Sequence, residues 1–283
     1  MNIAYLNGQF LQKELILISP DDRGFLFADG IYEVVRWYQG DFYDIDSHLK
    51  RLKRSMKELQ IKWDEEDSFP NILHELIIRN GLEQQQSKVY LQVTRGCAPR
   101  THSFPAPAVN PTVYAFASSI KSGTKEIESG VSVMLKKEMR WSRCDIKSIS
   151  LLPNTLSFQE AIESGNYECV FIRDGLVTEG THSNIFFMKN GALYTHPESD
   201  HILSGVTRKN VLRIAKSLDI PVYEEAVSEA MLGNISEAFL TGTTVEVTPV
   251  TKLGKIIMGN GHPGPVTKII IEKFKAETSA LKG

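Results

Sequence analysis

The stretch that does most to decide the fold of this chain is Arg23-Gly24-Phe25-Leu26-Phe27-Ala28-Asp29-Gly30-Ile31-Tyr32-Glu33. It leads into residues 31–38, which are rich in β-branched and aromatic side chains and therefore predict a strand. Upstream of it, Ile3 to Leu6, the pair Asn7-Gly8 and Gln9 to Leu11 have the pattern of a tight β-hairpin. The chain is thus predicted to begin as β-structure.

Beyond residue 43 the pattern becomes helical. Apolar residues from Leu49 to Leu59 recur at the spacing of one helix face, and Asp46 or Ser47 is expected to cap that helix. A second helix is expected over 68–79, ended by Asn80-Gly81. Strands are expected to follow at 88–94 and 112–118.

A polar segment with two glycines, residues 119–130, predicts a domain boundary. Because 283 residues exceed the size at which one hydrophobic core keeps growing, two domains are expected, at 1–120 and 121–283. The second should contain strands at 131–136, 168–173, 184–188 and 192–195, and helices at 154–164, 207–218 and 265–275. The predicted class is α+β in both halves.

Composition narrows the range of functions. The formal net charge of -2 argues against non-specific nucleic-acid binding, and no apolar run approaches the ~18 residues of a membrane helix. The N-terminus lacks the pattern of a signal peptide, and three cysteines without a CxxC pair favour a reducing, cytoplasmic location. Nucleotide-binding, metalloprotease and serine-hydrolase motifs are absent as well. The seven histidines are scattered without metal-ligand spacing, so no metal is expected.

Further segments have patterns that are unusual for plain core or surface. They are His48–Leu52, Gln92–His102, Arg143–Ser148, Val177–Asn184, Gly205–Arg208 and Thr241–Thr244. In this order they resemble the class IV aminotransferases, the pyridoxal-phosphate enzymes of fold type IV, from residue 23 to about residue 250. Within that family, Arg100-Thr101-His102 after Thr94-Arg95-Gly96 resembles the D-amino-acid aminotransferases.

The resemblance implies both an architecture and an activity. The architecture is a small N-terminal α/β domain followed by a larger, β-barrel-like α/β domain that carries the cofactor lysine. The activity is transamination between D-amino acids of the D-alanine type and 2-oxo acids such as 2-oxoglutarate, with pyridoxal 5′-phosphate as cofactor. A homodimer is implied too, because the family's substrate-carboxylate loop reaches the neighbouring subunit's site.

Two residues are expected to carry the chemistry. Lys147, otherwise an ordinary surface lysine, would hold the cofactor as a Schiff base and later move the substrate's α-proton. Glu179, otherwise a turn carboxylate beside Gly180, would keep the cofactor's ring nitrogen protonated so that the ring accepts electrons.

The remaining expected contacts hold the cofactor. Arg51 matches the family's His-x-x-Arg-Leu motif and would contact the phosphate, although it could be a solvent-facing helix residue. Val206 and Thr207 open a helix whose N-terminus suits an anion, and Thr243 would add a hydroxyl from a tight turn. Leu203 would pack on one face of the ring, a role that is hard to tell from plain core packing.

The substrate carboxylate needs a cationic partner. Arg100 suits this role because guanidinium binds carboxylate through two parallel hydrogen bonds, and His102 and the Tyr32 hydroxyl would add to them. The alternatives are an exposed proline-rich loop for the first two residues and strand packing for Tyr32.

Two departures from the family pattern could shift substrate preference: His182, where relatives usually carry a small residue, and Gly242, which resembles the branched-chain pattern. Branched-chain L-amino-acid aminotransferase, (R)-amine transaminase and aminodeoxychorismate lyase activities, all on the same fold, therefore remain alternatives. So does a cofactor-binding or scaffold protein without activity.

Overall fold

The structure, a computed structural model, describes residues 2–121 and 123–282. These residues form two compact units: the first contains 2–121, 146–150 and 281–282, and the second contains 123–145 and 151–280. The expected division places residues 146–150 in the C-terminal domain. In the structure this segment packs with the first unit.

The first unit is built on a five-stranded antiparallel sheet with strand order β2-β1-β5-β4-β3. Its strands are β1 (Ile3–Leu6), β2 (Gln9–Gln12), β3 (Gly30–Tyr38), β4 (Gln86–Thr94) and β5 (Thr112–Ser119). Its helices are α1 (Arg23–Phe27), α2 (Ile45–Glu58) and α3 (Phe69–Arg79). Leu52 and Met56 of α2 and Leu73 of α3 are fully buried in a core shared with the sheet.

The N-terminal hairpin is confirmed, with Asn7 and Gly8 both at positive φ in the turn between β1 and β2. The predicted cap of α2 is wrong. The helix begins at Ile45 after Asp44, which has left-handed backbone angles and no side-chain capping bond, so Asp46 and Ser47 lie inside the first turn. There Asp46 still complements the positive end of the helix dipole.

The second unit contains a mixed nine-stranded sheet in the order β11-β10-β9-β12-β13-β6-β7-β8, with β14 paired to β13. Its strands are β6 (Val131–Lys137), β7 (Glu168–Arg173), β8 (Leu176–Gly180), β9 (Asn184–Lys189), β10 (Ala192–Thr195), β11 (Val222–Tyr223), β12 (Glu237–Gly242), β13 (Glu246–Leu253) and β14 (Ile256–Ile257). Its helices are α4 (Thr124–Ser129), α5 (Leu152–Glu163), α6 (Val206–Ser217) and α7 (Pro265–Ser279).

Parallel pairing joins β6 to its two neighbours, β13 and β7, while β9, β12 and β13 pair antiparallel. The core of this unit consists mainly of valines, leucines and isoleucines, among them Val133 and Leu240, with Phe187. Inside the predicted linker 119–130, the structure has helix α4, with Ile127 buried. Within the described parts of the chain, no helix combines the length and the apolar character that crossing a membrane requires.

Candidate active site

Lys147 lies on a short segment that extends the sheet of the first unit. The Ile149 amide donates to the Gly30 carbonyl oxygen, and the Tyr32 amide donates to the Lys147 carbonyl oxygen, both at 3.0 Å. Because β3 is the edge strand, its outer hydrogen-bonding groups hold the backbone of 146–150. The Lys147 side chain is half-buried, and its Nζ lies 4.2 Å from the centre of the Tyr32 ring.

Next along β3, Glu33 forms a buried ion cluster with α2. Its carboxylate accepts two hydrogen bonds from Arg51, at 2.7 and 2.8 Å, and lies 2.8 Å from His48 Nδ1. Although burial favours the neutral acid, Arg51 and His48 hold the pKa of Glu33 well below its ordinary value. Burial lowers the pKa of His48.

This cluster rules out one of the two interpretations of Arg51. The interpretation of Arg51 as a solvent-facing helix residue is wrong, because its side chain is only 9% exposed and its Nε and Nη2 donate to Glu33. The phosphate contact stays a prediction. No motif pointed to Glu33 as the group that orients the guanidinium; only its place in the quoted stretch 23–33 could have drawn attention to it.

Tyr32 lies between Lys147 and the aromatic face of the neighbouring strand. Its ring stacks on Tyr90 with centres 5.6 Å apart and planes 24° apart, while the Lys147 amine lies over the same ring. Tyr32 therefore has a packing role, and its proposed hydrogen bond to substrate stays a prediction.

Arg100 and His102 lie on the exposed segment between β4 and β5. Both contact Phe27 of α1: the Arg100 guanidinium lies 5.0 Å from the centre of the Phe27 ring, and the His102 ring lies 5.6 Å from it. The two side chains are thus brought together on one aromatic ring of the same unit.

In the second unit, Glu179 is buried among hydrogen-bond donors. Arg140 Nη1 donates to Oε1 at 2.6 Å, and Asn184 Nδ2 and the Leu203 amide each donate to Oε2 at 3.0 Å. Burial raises the pKa of Glu179, while Arg140 and the Leu203 amide oppose that rise. We assign the anionic carboxylate, because every one of these neighbours is a donor.

No motif pointed to Arg140, which lies in an unremarkable stretch of sequence. Its side chain is 6% exposed and bridges Glu179 to a second buried carboxylate, Glu138, at 2.7 Å. Burial opposes its charge, but Glu179 and Glu138 raise the pKa of Arg140 above its ordinary value. Arg140 is therefore a cation that fixes Glu179 from the side opposite Asn184.

Glu179 lies in a β-bulge between β7 and β8. Two residues of β8, Thr178 and Glu179, lie opposite the single residue Phe171 of β7. A bulge of this kind interrupts the alternation of side chains and is common beside active sites. Here it coincides with a carboxylate aimed at Asn184, at the start of β9.

Helix α6 begins at Val206, three residues after Leu203. Gly205 is the residue that precedes the helix, so no side chain caps it, and the buried residues Val206 and Thr207 form its first turn. A Cβ atom at Gly205 would lie 2.1 Å from Asn184 Oδ1, which explains the glycine. The first-turn amides and the helix dipole suit an anion, the role predicted for Val206 and Thr207.

Thr243 lies in the turn between β12 and β13, as predicted. Just before it, the Thr241 hydroxyl is buried and makes no hydrogen bond within the residues described. Thr241 pairs directly with Asn184 across β12 and β9, so the two side chains share one face of the sheet. An unpartnered hydroxyl therefore lies on the face that also presents Asn184.

His182 is held by another buried carboxylate, Glu168. Glu168 lies 2.8 Å from His182 Nδ1 and accepts hydrogen bonds from the hydroxyls of Thr181 at 2.5 Å and Ser183 at 3.0 Å. Although burial favours the neutral acid, His182 and Thr181 hold the pKa of Glu168 below its ordinary value. His182 thus belongs to a cluster that fixes the β8–β9 connection, and its effect on substrate preference stays a prediction.

Among residues 2–121 and 123–282, no group of three or more His, Cys, Asp or Glu side chains is arranged to hold a metal ion. The polar groups that the predicted chemistry would use are the Lys147 amine, the buried Glu179–Arg140 pair and the uncapped N-terminus of α6.

Comparison with known proteins identifies the family. The profile of the Amino-transferase class IV family matches residues 30–253. The chain is 38% identical over 275 residues to a D-alanine aminotransferase of Staphylococcus haemolyticus, with 97% of each chain covered. It is 41% identical over 263 residues to a D-alanine aminotransferase of Bacillus licheniformis, with 93% of this chain and 92% of that one covered.

Solved structures agree on the fold. The branched-chain amino acid aminotransferase from Escherichia coli matches with a TM-score of 0.90 at 24% identity, covering 100% of this chain and 96% of that one. The branched-chain amino acid aminotransferase from T.th., complexed with N-(5′-phosphopyridoxyl)-L-glutamate, matches with a TM-score of 0.88 at 24% identity, covering 99% of this chain and 94% of that one.

The fold is therefore the mixed α/β, fold-type IV architecture expected from the sequence, which confirms the predicted fold class. The chain belongs to the class IV aminotransferase family, and it is an aminotransferase.

Proposed function

We propose that this chain is a pyridoxal 5′-phosphate-dependent aminotransferase that exchanges amino groups between D-amino acids, of the D-alanine type, and 2-oxo acids. The observation that carries the chemistry is the buried Glu179 carboxylate, held in place by Arg140 and two N–H donors. The substrate class is supported by relatives named D-alanine aminotransferase that cover nearly the whole chain, and by the Arg100 and His102 pair.

The residues present fit such a cofactor. A buried anion suits a protonated ring nitrogen, and an uncapped helix N-terminus at Val206 and Thr207 suits a phosphate. The unpartnered Thr241 hydroxyl leaves one further donor on the same sheet face as Asn184. When bound, pyridoxal phosphate supplies an electron sink for the negative charge that forms at the substrate's α-carbon.

The protein's own residues would divide the remaining work. Lys147 would attach the cofactor, and its Nζ would remove and return the α-proton once the substrate has displaced it. Arg51, oriented by Glu33, would bind the phosphate together with Thr243, and Leu203 would pack on the ring.

Arg100, His102 and Tyr32 would bind the substrate's α-carboxylate. Because Lys147 works from one side only, the side on which the carboxylate is held decides which enantiomer presents its α-hydrogen to the amine. We propose a homodimer in which Arg100 and His102 serve the neighbouring subunit, in line with their exposure on a loop. The free thiols Cys97, Cys144 and Cys169 are consistent with a cytoplasmic location.

The test is a coupled assay with 2-oxoglutarate that compares D-alanine, L-leucine and a simple chiral amine. We expect D-alanine to be the preferred donor, with more than one equivalent of pyruvate per active site formed only when the 2-oxo acid is present. Preference for L-leucine or for the amine would contradict the proposed substrate class. Catalytic release of pyruvate from aminodeoxychorismate, without any amino acceptor, would indicate a lyase, and an inert protein that binds the cofactor would indicate lost activity.

A second candidate, branched-chain L-amino-acid transamination, is supported by Gly242. This glycine resembles the branched-chain pattern, and a Cβ atom there would lie only 3.1 Å from Val245 Cγ2. In the assay above, that candidate predicts turnover of L-leucine in preference to D-alanine.

A further inference from the structure

Three residues of the first unit form an ion cluster that the proposed chemistry does not use. Asp29 accepts hydrogen bonds from Arg95 at 2.7 and 2.9 Å and from Arg23 at 2.9 Å. Although burial opposes ionisation, hydrogen bonds from Arg95 and Arg23 hold the pKa of Asp29 below its ordinary value. All three belong to the stretches that first suggested the family, yet no catalytic role accounts for them.

The cluster contacts the segment between β4 and β5, residues 95–111, which carries Arg100 and His102. Arg23 Nη1 donates to the Thr101 carbonyl oxygen at 2.7 Å and also lies 3.4 Å from the Ser103 carbonyl oxygen. Thr101 is the residue between the two predicted carboxylate-binding side chains. One buried guanidinium, 3% exposed, therefore connects Asp29 to the backbone of that segment.

Arg95 fixes the start of the same segment. Besides Asp29, its guanidinium donates to the carbonyl oxygens of Gln60 at 3.1 Å and Leu59 at 2.7 Å, and it lies 3.6 Å from the centre of the Phe104 ring. Arg95 thus links the end of β4 to the end of α2 and to a ring farther along the segment.

Backbone contacts close the segment at its base. Gly96 has a φ of +93°, and a Cβ atom there would lie 2.0 Å from the Asn110 carbonyl oxygen. The two ends of the segment therefore meet at a position that only glycine can occupy. Between them, the Phe27 ring lies 4.7 Å from the Arg23 guanidinium and contacts Arg100 and His102.

We propose that Arg23, with Asp29 and Phe27, is a positioning group that holds Arg100 and His102 in the geometry needed to bind a carboxylate. This inference rests on the proposed function. A guanidinium can serve Asp29 and the Thr101 carbonyl oxygen at once because its donors form a rigid fork. A lysine amine, which has one nitrogen, cannot span both.

The experiment uses Arg23→Lys in the cofactor-loaded enzyme. We expect KM for the amino acid and for the 2-oxo acid to rise roughly tenfold, with kcat changed far less, because small displacements of a binding group weaken substrate binding. In an Arg100→Leu background, the same substitution should raise KM far less than it does in the wild-type background, since most of its effect acts through Arg100. Arg79→Gln, an exposed arginine paired with Glu75, is the matched control and should leave KM unaltered.

A second measurement, limited proteolysis, reports how firmly the segment is held and does not depend on enzyme activity. Trypsin can cleave after Arg100, and loosening of the segment by Arg23→Lys should speed that cleavage severalfold over wild type and Arg79→Gln. Should Arg23→Lys fail to fold, Phe27→Leu takes its place, because it changes no charge and removes only the ring that Arg100 and His102 contact.

The outcomes separate this inference from the proposed function. If Arg100→Leu leaves KM unchanged, the proposed carboxylate contact fails and the positioning role fails with it. If Arg100→Leu raises KM but Arg23→Lys does not, only the positioning role is overturned. The positioning role would also be overturned if Arg23→Lys raised KM by the same factor with and without Arg100→Leu. Tryptic cleavage of Arg23→Lys at the wild-type rate would overturn it as well.

Discussion

Glu179 shows how one carboxylate can be buried and still keep its charge. Arg140 and the N–H groups of Asn184 and Leu203 replace the water that burial removes. In Glu179→Gln, a neutral amide would face Arg140 and could no longer stabilise a cationic ring nitrogen. We expect kcat to fall by roughly 100-fold or more, as when an electrostatic partner of a transition state is removed.

Steady-state kinetics of purified Glu179→Gln, with cofactor occupancy followed by visible absorbance, measures this. Glu163→Gln is the matched control, because Glu163 lies at the end of α5 and pairs only with Gln159 among the hydrogen bonds described. A Glu179→Gln enzyme with wild-type kcat at full occupancy would remove Glu179 from the mechanism.

Glu33 predicts a dependence of stability on pH. Its native pKa is lowered, and the unfolded chain takes up a proton near pH ~4.3, so the stabilising contribution is present above that pH and is lost below it. Glu33→Gln should be less stable near neutral pH, because Arg51 loses its anionic partner. On acidification its unfolding free energy should fall less steeply than that of wild type, by up to about 1.4 kcal/mol per pH unit.

Urea unfolding at fixed protein concentration, repeated across the acidic range, gives these slopes. Glu75→Gln, which removes an exposed carboxylate paired with Arg79, should run parallel to wild type. Parallel curves for Glu33→Gln and wild type would show that the buried cluster does not contribute in this way.

At the scale of elements, the start of α6 can lie close to Asn184 because Gly205 has no side chain. An alanine at Gly205 would force Asn184 away from Glu179, because its Cβ atom would lie 2.1 Å from Asn184 Oδ1. We expect Gly205→Ala to weaken cofactor binding by roughly tenfold, a loss of about 1.4 kcal/mol. Equilibrium titration of the apoenzyme with pyridoxal phosphate provides the measurement.

Gly233→Ala is a matched control, because nothing lies within 4 Å of a Cβ atom at that position. It should bind the cofactor like wild type. Equal affinities for the two alanine variants would show that the close approach of α6 to Asn184 has no part in binding.

The elements that the sequence predicted best are those with a strong local signal. The Asn7-Gly8 turn, strand β3 and the apolar face of α3 each follow from residues close together in the chain. Helix α4 was missed because its short polar sequence is typical of a linker, with only Ile127 buried. The placement of 146–150 beside β3 depends on a pairing between residues more than a hundred positions apart, which no local pattern contains.

The residues of the candidate site also differ in how readily the sequence predicts them. The sequence singles out Lys147, Glu179, Arg51 and Arg100 as candidates because they belong to motifs. It does not single out Arg140, Glu138 or Glu168, because an isolated charged residue in sequence looks like a solvated one until its burial is known. The residues that orient the site were therefore harder to predict than those expected to touch ligand.

At the scale of the whole molecule, the proposed homodimer makes each site depend on two chains. At D-alanine concentrations far below KM, Arg100→Leu should greatly reduce turnover because its KM is raised, and Lys147→Ala should abolish turnover. After mixing and random reassortment, about half of the dimers are hybrids with one intact site, so about a quarter of wild-type activity should return. Recovery of none, after reassortment has been verified by mass spectrometry, would show that Arg100 and Lys147 serve a site within one chain or no common site.

The proposed transamination depends above all on Lys147 as the point of cofactor attachment. Borohydride reduction of the reconstituted enzyme, followed by digestion and mass spectrometry, reports that attachment directly. We predict a pyridoxyl group on Lys147 and on no other lysine, and its loss in Lys147→Ala, whose fold should remain intact by circular dichroism. A label on any other residue, or none after reconstitution, would contradict the account.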